Sequence, residues 1–218
     1  MRRLAGLGGL MVLVLALVVA QLVLPGIAAQ RLRDRLSASG QVRSVSVSAF
    51  PAVELLWHHA DSVEVHLGRY RSSPAALTRL LNEAAGVNKL RATASELDTG
   101  LLTLRDATLV KAGRRLSGSA NVTEADLRTA LAVLNAVTPV ASGGGRIVLQ
   151  GTATVFGVTA TVDATVAPSN GALLLTPAVP FGALATVRLF SDPGIAVESV
   201  SASRTASGFA VSASGHSR

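Results

Sequence analysis

The sequence predicts an α+β domain, mostly antiparallel sheet with two or three short helices, following an N-terminal signal or transmembrane helix. Three observations carry that prediction. Period-two alternation recurs in long runs, most cleanly where Val158, Ala160, Val162, Ala164 and Val166 oppose Thr159, Thr161, Asp163 and Thr165. Only two later segments combine a helical apolar stripe with a start signal. And Met1-Arg2-Arg3 precedes a run from Leu4 to Ala29 without a single charge.

The third observation divides the chain into 1–29, a signal peptide or signal-anchor helix, and 30–218, one domain. A basic start followed by an apolar run is the export signature, and no cysteine follows it, which excludes a lipoprotein signal. Gly26-Ile27-Ala28 offers small residues for cleavage after Ala28. The run nevertheless exceeds the roughly 7–15 apolar residues of a signal peptide and reaches the ~20 that span a bilayer. Arg31, Arg33 and Arg35 on its far side leave the orientation undecided by charge. Cleaved leader and retained anchor are both open, with run length favouring the anchor.

The elements then follow in order. Residues 30–36 extend the leader as a short basic helix, which Ser37-Ala38-Ser39-Gly40 ends. Val45, Val47 and Ala49 alternate with Ser44, Ser46 and Ser48 as a half-buried strand, broken at Phe50-Pro51. A second strand carries Val63, Val65 and Leu67 on one face. Ser73-Pro74 reads as an N-cap and first helical position for a stripe of Leu77, Leu80, Leu81 and Ala84. Residues 88–122 return to strands with a hairpin at Ala112-Gly113. Thr123-Glu124-Ala125-Asp126 is a capping-box variant opening a helix of Leu127, Ala130, Leu131 and Leu134, ended by Thr138-Pro139. Ser142-Gly143-Gly144-Gly145 reads as a flexible joint; no Lys-Ser/Thr follows it, so it is not a phosphate loop. The remainder is nearly all strand, with a hairpin at Pro168-Ser169-Asn170-Gly171, an irregular stretch from Pro177 to Gly194, and two closing strands joined at Ala206-Ser207-Gly208. This amounts to eight or nine strands.

Composition narrows the function classes. Of 218 residues, 49% are hydrophobic but only 3% aromatic, so the core rests on Ala, Val and Leu. With no cysteine, its stability must come from burial alone. The net charge is +7, and every base except Lys89 and Lys111 is arginine. Guanidinium groups suit phosphate-bearing partners, anionic lipid head groups included. Nucleic acid is disfavoured by the export signal and by the lack of aromatic-interleaved basic patches.

The search for chemistry is negative. His58, His59, Asp61, Glu64 and His66 are the best metal candidates, yet no second His-rich segment completes a shell beyond distant His216. No serine sits in a nucleophile elbow. Glu96 with Asp98, and Glu124 with Asp126, read as strand and helix-start residues. We expect no catalytic residue, no metal and no cofactor. Apolar binding remains, through a slot between sheet and helices, with Phe50, Pro51, Leu55, Leu56 and Trp57 as bulky groups outside regular alternation where a pocket mouth would lie. Ordinary core packing is the competing reading of these five.

Several segments resemble the LmeA-type phospholipid-binding proteins of actinobacteria: 45–51, the 63–67 strand, Gly118 to Leu127, Gly151-Thr152-Ala153 through Leu173, and the closing pair at 194–197 and 208–212. The likeness covers most of 28–214 and rests on structural motifs. It implies an elongated, curved sheet wrapped on a helix, a role in the cell envelope, and binding of phospholipid or phosphoinositide in support of envelope lipid or lipoglycan maturation. Ala49 and Ala52 depart from the family pattern on either side of Phe50-Pro51, and the 74–85 helix looks like an elaboration. The implied partners are a phospholipid or other anionic membrane lipid, and the membrane itself through the N-terminal segment. The alternative is a membrane-anchored adaptor that docks an envelope protein and holds no ligand.

Overall fold

A computed structural model describes residues 20–21, 23–52, 55, 59–100, 102–130, 136–155, 158–178, 186–191, 193–206 and 208–217. Residues 1–19, most of the apolar leader, lie outside these. Among the described residues no helix is long and apolar enough to cross a membrane. The helix expected over 30–36 begins further upstream: residues 23–37 form one helix, α1, with 20–21 helical before it. Pro25 and Gly26 do not end it, and neither does the candidate cleavage position at Ala28. Its last turn closes through Ser39 N–H on Leu36 C=O.

Twelve strands are described. β1 (Gly40–Ser48), β2 (Ala60–Arg71), β3 (Val87–Asp98), β4 (Thr103–Ala112), β5 (Arg115–Val122), β11 (Ile195–Thr205) and β12 (Gly208–Ser217) make a seven-stranded sheet in the order β1-β2-β3-β4-β5-β12-β11. β6 (Ala136–Gly143), β7 (Arg146–Val155), β8 (Val158–Ser169), β9 (Ala172–Pro177) and β10 (Val187–Phe190) make a second, five-stranded sheet. Pairing is antiparallel except between β2 and β3, which run parallel with Val65 opposite Ala92. A parallel pair needs a crossover of a dozen or so residues. α2 (Pro74–Glu83) with the 3₁₀ turn Ala84–Gly86 is that crossover.

Both predicted caps form. The Ser73 hydroxyl accepts from Ala76 N–H at 3.2 Å, with Pro74 next in the first turn. The Thr123 hydroxyl accepts from Asp126 N–H at 3.1 Å and opens α3 (Glu124–Ala130). Asn170 and Gly171, at φ 51° and 80°, make the left-handed turn that a two-residue hairpin requires.

Three expectations are corrected. Residues 136–143 are the edge strand β6, so Thr138-Pro139 lies within a strand and does not end a helix; an edge position tolerates a proline that cannot donate to the ladder. Gly144 and Gly145, at φ 60° and 76°, are the tight turn between β6 and β7 and not a flexible joint. The irregular stretch after Pro177 contains β10.

Apolar positions gather in two cores. In the first, Leu36 of α1 packs with Val63, Val65, Tyr70, Val87 and Leu90, flanked by Leu32, Leu80 and Ala84 from the helical segments. In the second, Val200 of β11 packs with Ile147 and Val166 of the five-stranded sheet. That sheet also satisfies the free edge of β11: Val200 N–H donates to Gly145 C=O, Val197 N–H to Gly171 C=O, each at 3.0 Å, and Ala202 N–H to the Ser142 hydroxyl at 2.9 Å. An edge strand that would otherwise template another chain is closed by turn carbonyls.

Candidate functional site

The loop after β1 is tied down by a residue of the apolar leader. Gln21 donates from Nε2 to Ala49 C=O at 3.0 Å and accepts at Oε1 from Ala52 N–H at 2.7 Å. The Asp61 carboxylate accepts from Phe50 N–H at 2.7 Å. Ala49 and Ala52 are buried by these ties, while Phe50 between them is 79% exposed and Pro51 is exposed as well. Leu55 instead packs half-buried against the first core. Leu56 and Trp57 lie outside the described residues.

A different feature joins the two cores. Across the core-facing side of the seven-stranded sheet, one row runs in register through Val65, Ala92, Leu109, Gly118, Ala213 and Val200. Val65 and Val200 at its ends are buried. Ala92, Leu109 and Gly118 between them are half-buried and Ala213 is exposed. A Cβ added at Gly118 would meet only the Thr108 carbonyl oxygen, at 3.7 Å. Ala92 packs against the first core, so among the described residues the stretch of this row that belongs to neither core is Leu109, Gly118 and Ala213. Val211, half-buried one row away, widens it.

The opposite face of the same strands is lined with hydroxyls. Two cavities of about 460 and 280 Å³ share Ser119 and Ser212; Val211 also lines the first, and Gly118 and Ala213 the second. Serines pair across strands, Ser199 with Ser214 and Ser201 with Ser212, each at 2.7 Å. At the end of the larger cavity Asp106 adopts φ 49° and accepts from Asn121 Nδ2 at 3.4 Å. Phe50, Pro51 and Leu55 line neither cavity.

The charged residues have structural partners. Asp61 holds the Phe50 loop. Glu64 and His66 sit 3.3 Å apart, and His66 Nδ1 shares a hydrogen bond with Thr93. His216 lies in β12 and meets Glu198 at 2.7 Å. No group of three or more His, Asp or Glu is placed to hold a metal among the described residues. Asp98 accepts from Gly100 N–H and Arg71, which hold its carboxyl below the usual value. Lys111 is 4% exposed on the apolar face; its Nζ donates to Ala84 C=O and Val87 C=O, closing the end of the α2 crossover. Burial pushes its ammonium below the ordinary lysine range.

Sequence reasoning missed Gln21 and Lys111. Both carried a signal: Gln21 is the one strongly polar side chain in the leader, and Lys111 falls in phase with Ala107 and Leu109 on the buried side.

The model of the LmeA-like phospholipid-binding family matches residues 15–189, well over half of the chain. The chain belongs to this family. The LmeA-like match starts inside the apolar leader, upstream of Gln21, and stops before the β11–β12 hairpin. The likeness read from the sequence covers a different span, 28–214. No curated protein and no solved structure matched the chain.

Proposed function

We propose that this LmeA-like protein binds phospholipid in the cell envelope, laying an acyl chain along the uncovered apolar strip of its seven-stranded sheet. The observation that carries the reading is the in-register row Leu109, Gly118 and Ala213, which belongs to neither core among the described residues. Small side chains there leave room for a methylene chain, and burying each CH₂ is worth about 0.8 kcal/mol. Exposed Arg31 and Arg33 supply cations for a phosphate or phosphoinositide head group. The protein acts by holding lipid, without chemistry of its own, and supports envelope lipid or lipoglycan maturation.

The leader is retained in this reading. Cleavage after Ala28 would remove Gln21 and both of its hydrogen bonds to the 49–52 loop, and the family match includes residues 15–28. In this reading the domain is exported and held at the outer side of the cytoplasmic membrane. A ligand-free adaptor is the second reading. It is favoured by Val140 and Val187, each 52% exposed on strands that edge the five-stranded sheet, where a partner protein would dock.

Native mass spectrometry of the full chain released from bilayers separates the two. Binding predicts co-purified phospholipid, lost in Leu109→Asp while circular dichroism stays unchanged. A chain that stays empty after incubation with anionic vesicles overturns the lipid reading and leaves the adaptor.

A further inference from the structure

We infer that the Phe50-Pro51 loop is a membrane-contacting tip, fixed at the level where the N-terminal segment leaves an anionic bilayer. Loops of small proteins bury a phenylalanine when they can, because doing so gains roughly 2–3 kcal/mol. Here the flanking Ala49 and Ala52 are buried and the phenylalanine is turned outward at 79% exposure. Three hydrogen bonds hold it so: two from Gln21 to the flanks and one from Phe50 N–H to Asp61.

The surroundings identify what the ring meets. Among the described residues, Val23 and Ile27 of α1 are also large, apolar and exposed, at 48% and 45%, one helical turn apart and just after Gln21 in sequence. The same helix continues a charge-free run that starts at Leu4. A helix rises about 1.5 Å per residue, so about 20 residues cover the ~30 Å hydrocarbon core. By sequence length alone, the charge-free run from Leu4 reaches that count near Val23, close to Gln21, to which the loop is bonded. Further along α1, Arg31 and Arg33 are exposed and within reach of anionic head groups, their stems lying along the apolar boundary. An apolar ring and then a basic belt match the interface of an anionic bilayer in order.

The inference rests on the retained anchor of the proposed function but needs no lipid in the apolar strip. The chain has no cysteine, so single labels are clean. Full-length Phe50→Cys and, as a control at the far end of α1, Ala38→Cys would carry an environment-sensitive fluorophore in phosphatidylglycerol-containing vesicles. Lipids with a shallow nitroxide should quench position 50 and blue-shift its emission, and do neither at position 38. Adding Gln21→Ala should release the loop and abolish the quenching. Vesicle-bound protein whose position 50 is no more quenched than position 38, or is quenched equally without Gln21, overturns the tip. If such protein still carries phospholipid by mass, the tip fails while the proposed function stands.

Discussion

At one end of the seven-stranded sheet, Leu32 and Leu36 of α1 close over Val63, Val65 and Leu90; at the other, Val200 is closed over by Ile147 and Val166 of a second sheet. The first closure uses helices, one entering from the leader and one crossing between parallel strands. The second uses a sheet docked on an edge, with turn carbonyls of Gly145 and Gly171 bonded to β11. Helix and sheet each cover only the strands they reach. The row Leu109, Gly118 and Ala213 lies between the two closures and belongs to neither among the described residues. Its glycine and alanine weaken any core there and leave room for the acyl chain we propose.

The largest disruption should come from the strand both halves depend on. Phe209 is the most deeply buried large side chain described, 2% exposed on β12 between β5 and β11. Phe209→Ala is expected to cost about 3–5 kcal/mol and to lower the urea midpoint of the whole domain. Two unfolding steps in that variant, one retained at the wild-type midpoint, would break the idea that β12 couples the cores.

Smaller substitutions separate the halves. Leu36→Ala should cost about 3 kcal/mol and Val200→Ala about 2. Native-state hydrogen exchange should then speed up mainly in β1–β3 for the first and mainly in β7–β9 for the second. Uniform acceleration in both variants would show one cooperative core.

The smallest effect concerns pH. Because Lys111 is held below its ordinary range, the unfolded chain binds that proton more tightly than the folded one. Charging it therefore opposes folding, and stability rises with pH between the lowered value and about 10.4. Wild type should gain on Lys111→Met over that interval in chemical denaturation. A constant difference would mean that burial does not penalise the ammonium.

Much of this fold was legible locally. Alternation identified the faces of β2, β7 and β8, Ser73 and Thr123 announced α2 and α3, and Asn170-Gly171 set its hairpin. What alternation cannot give is the partner, since a period of two specifies a buried face and not which strand lies beside it. The parallel β2–β3 pair, the separation into two sheets and the docking of β11 on turns are non-local and left no mark in the local pattern. Pro139 misled because a proline ends a helix as readily as it occupies an edge strand. The candidate strip was hidden for a related reason: Leu109, Gly118 and Ala213 come from three strands and become neighbours only through register. Phe50 and Pro51 stood out in the sequence as breaks in alternation, but the outward direction of the ring depends on Gln21, 29 residues earlier.

The central claim, an acyl chain lying between the two cores, is tested most directly by a photoactivatable phospholipid with a diazirine near the acyl terminus. After irradiation of the lipid-loaded full chain, mass spectrometry should place the cross-links at Leu109, Val211 and Ala213. Cross-links confined to the hydroxyl-lined face at Ser119, Ser201 and Ser212, or found on the five-stranded sheet alone, would contradict it.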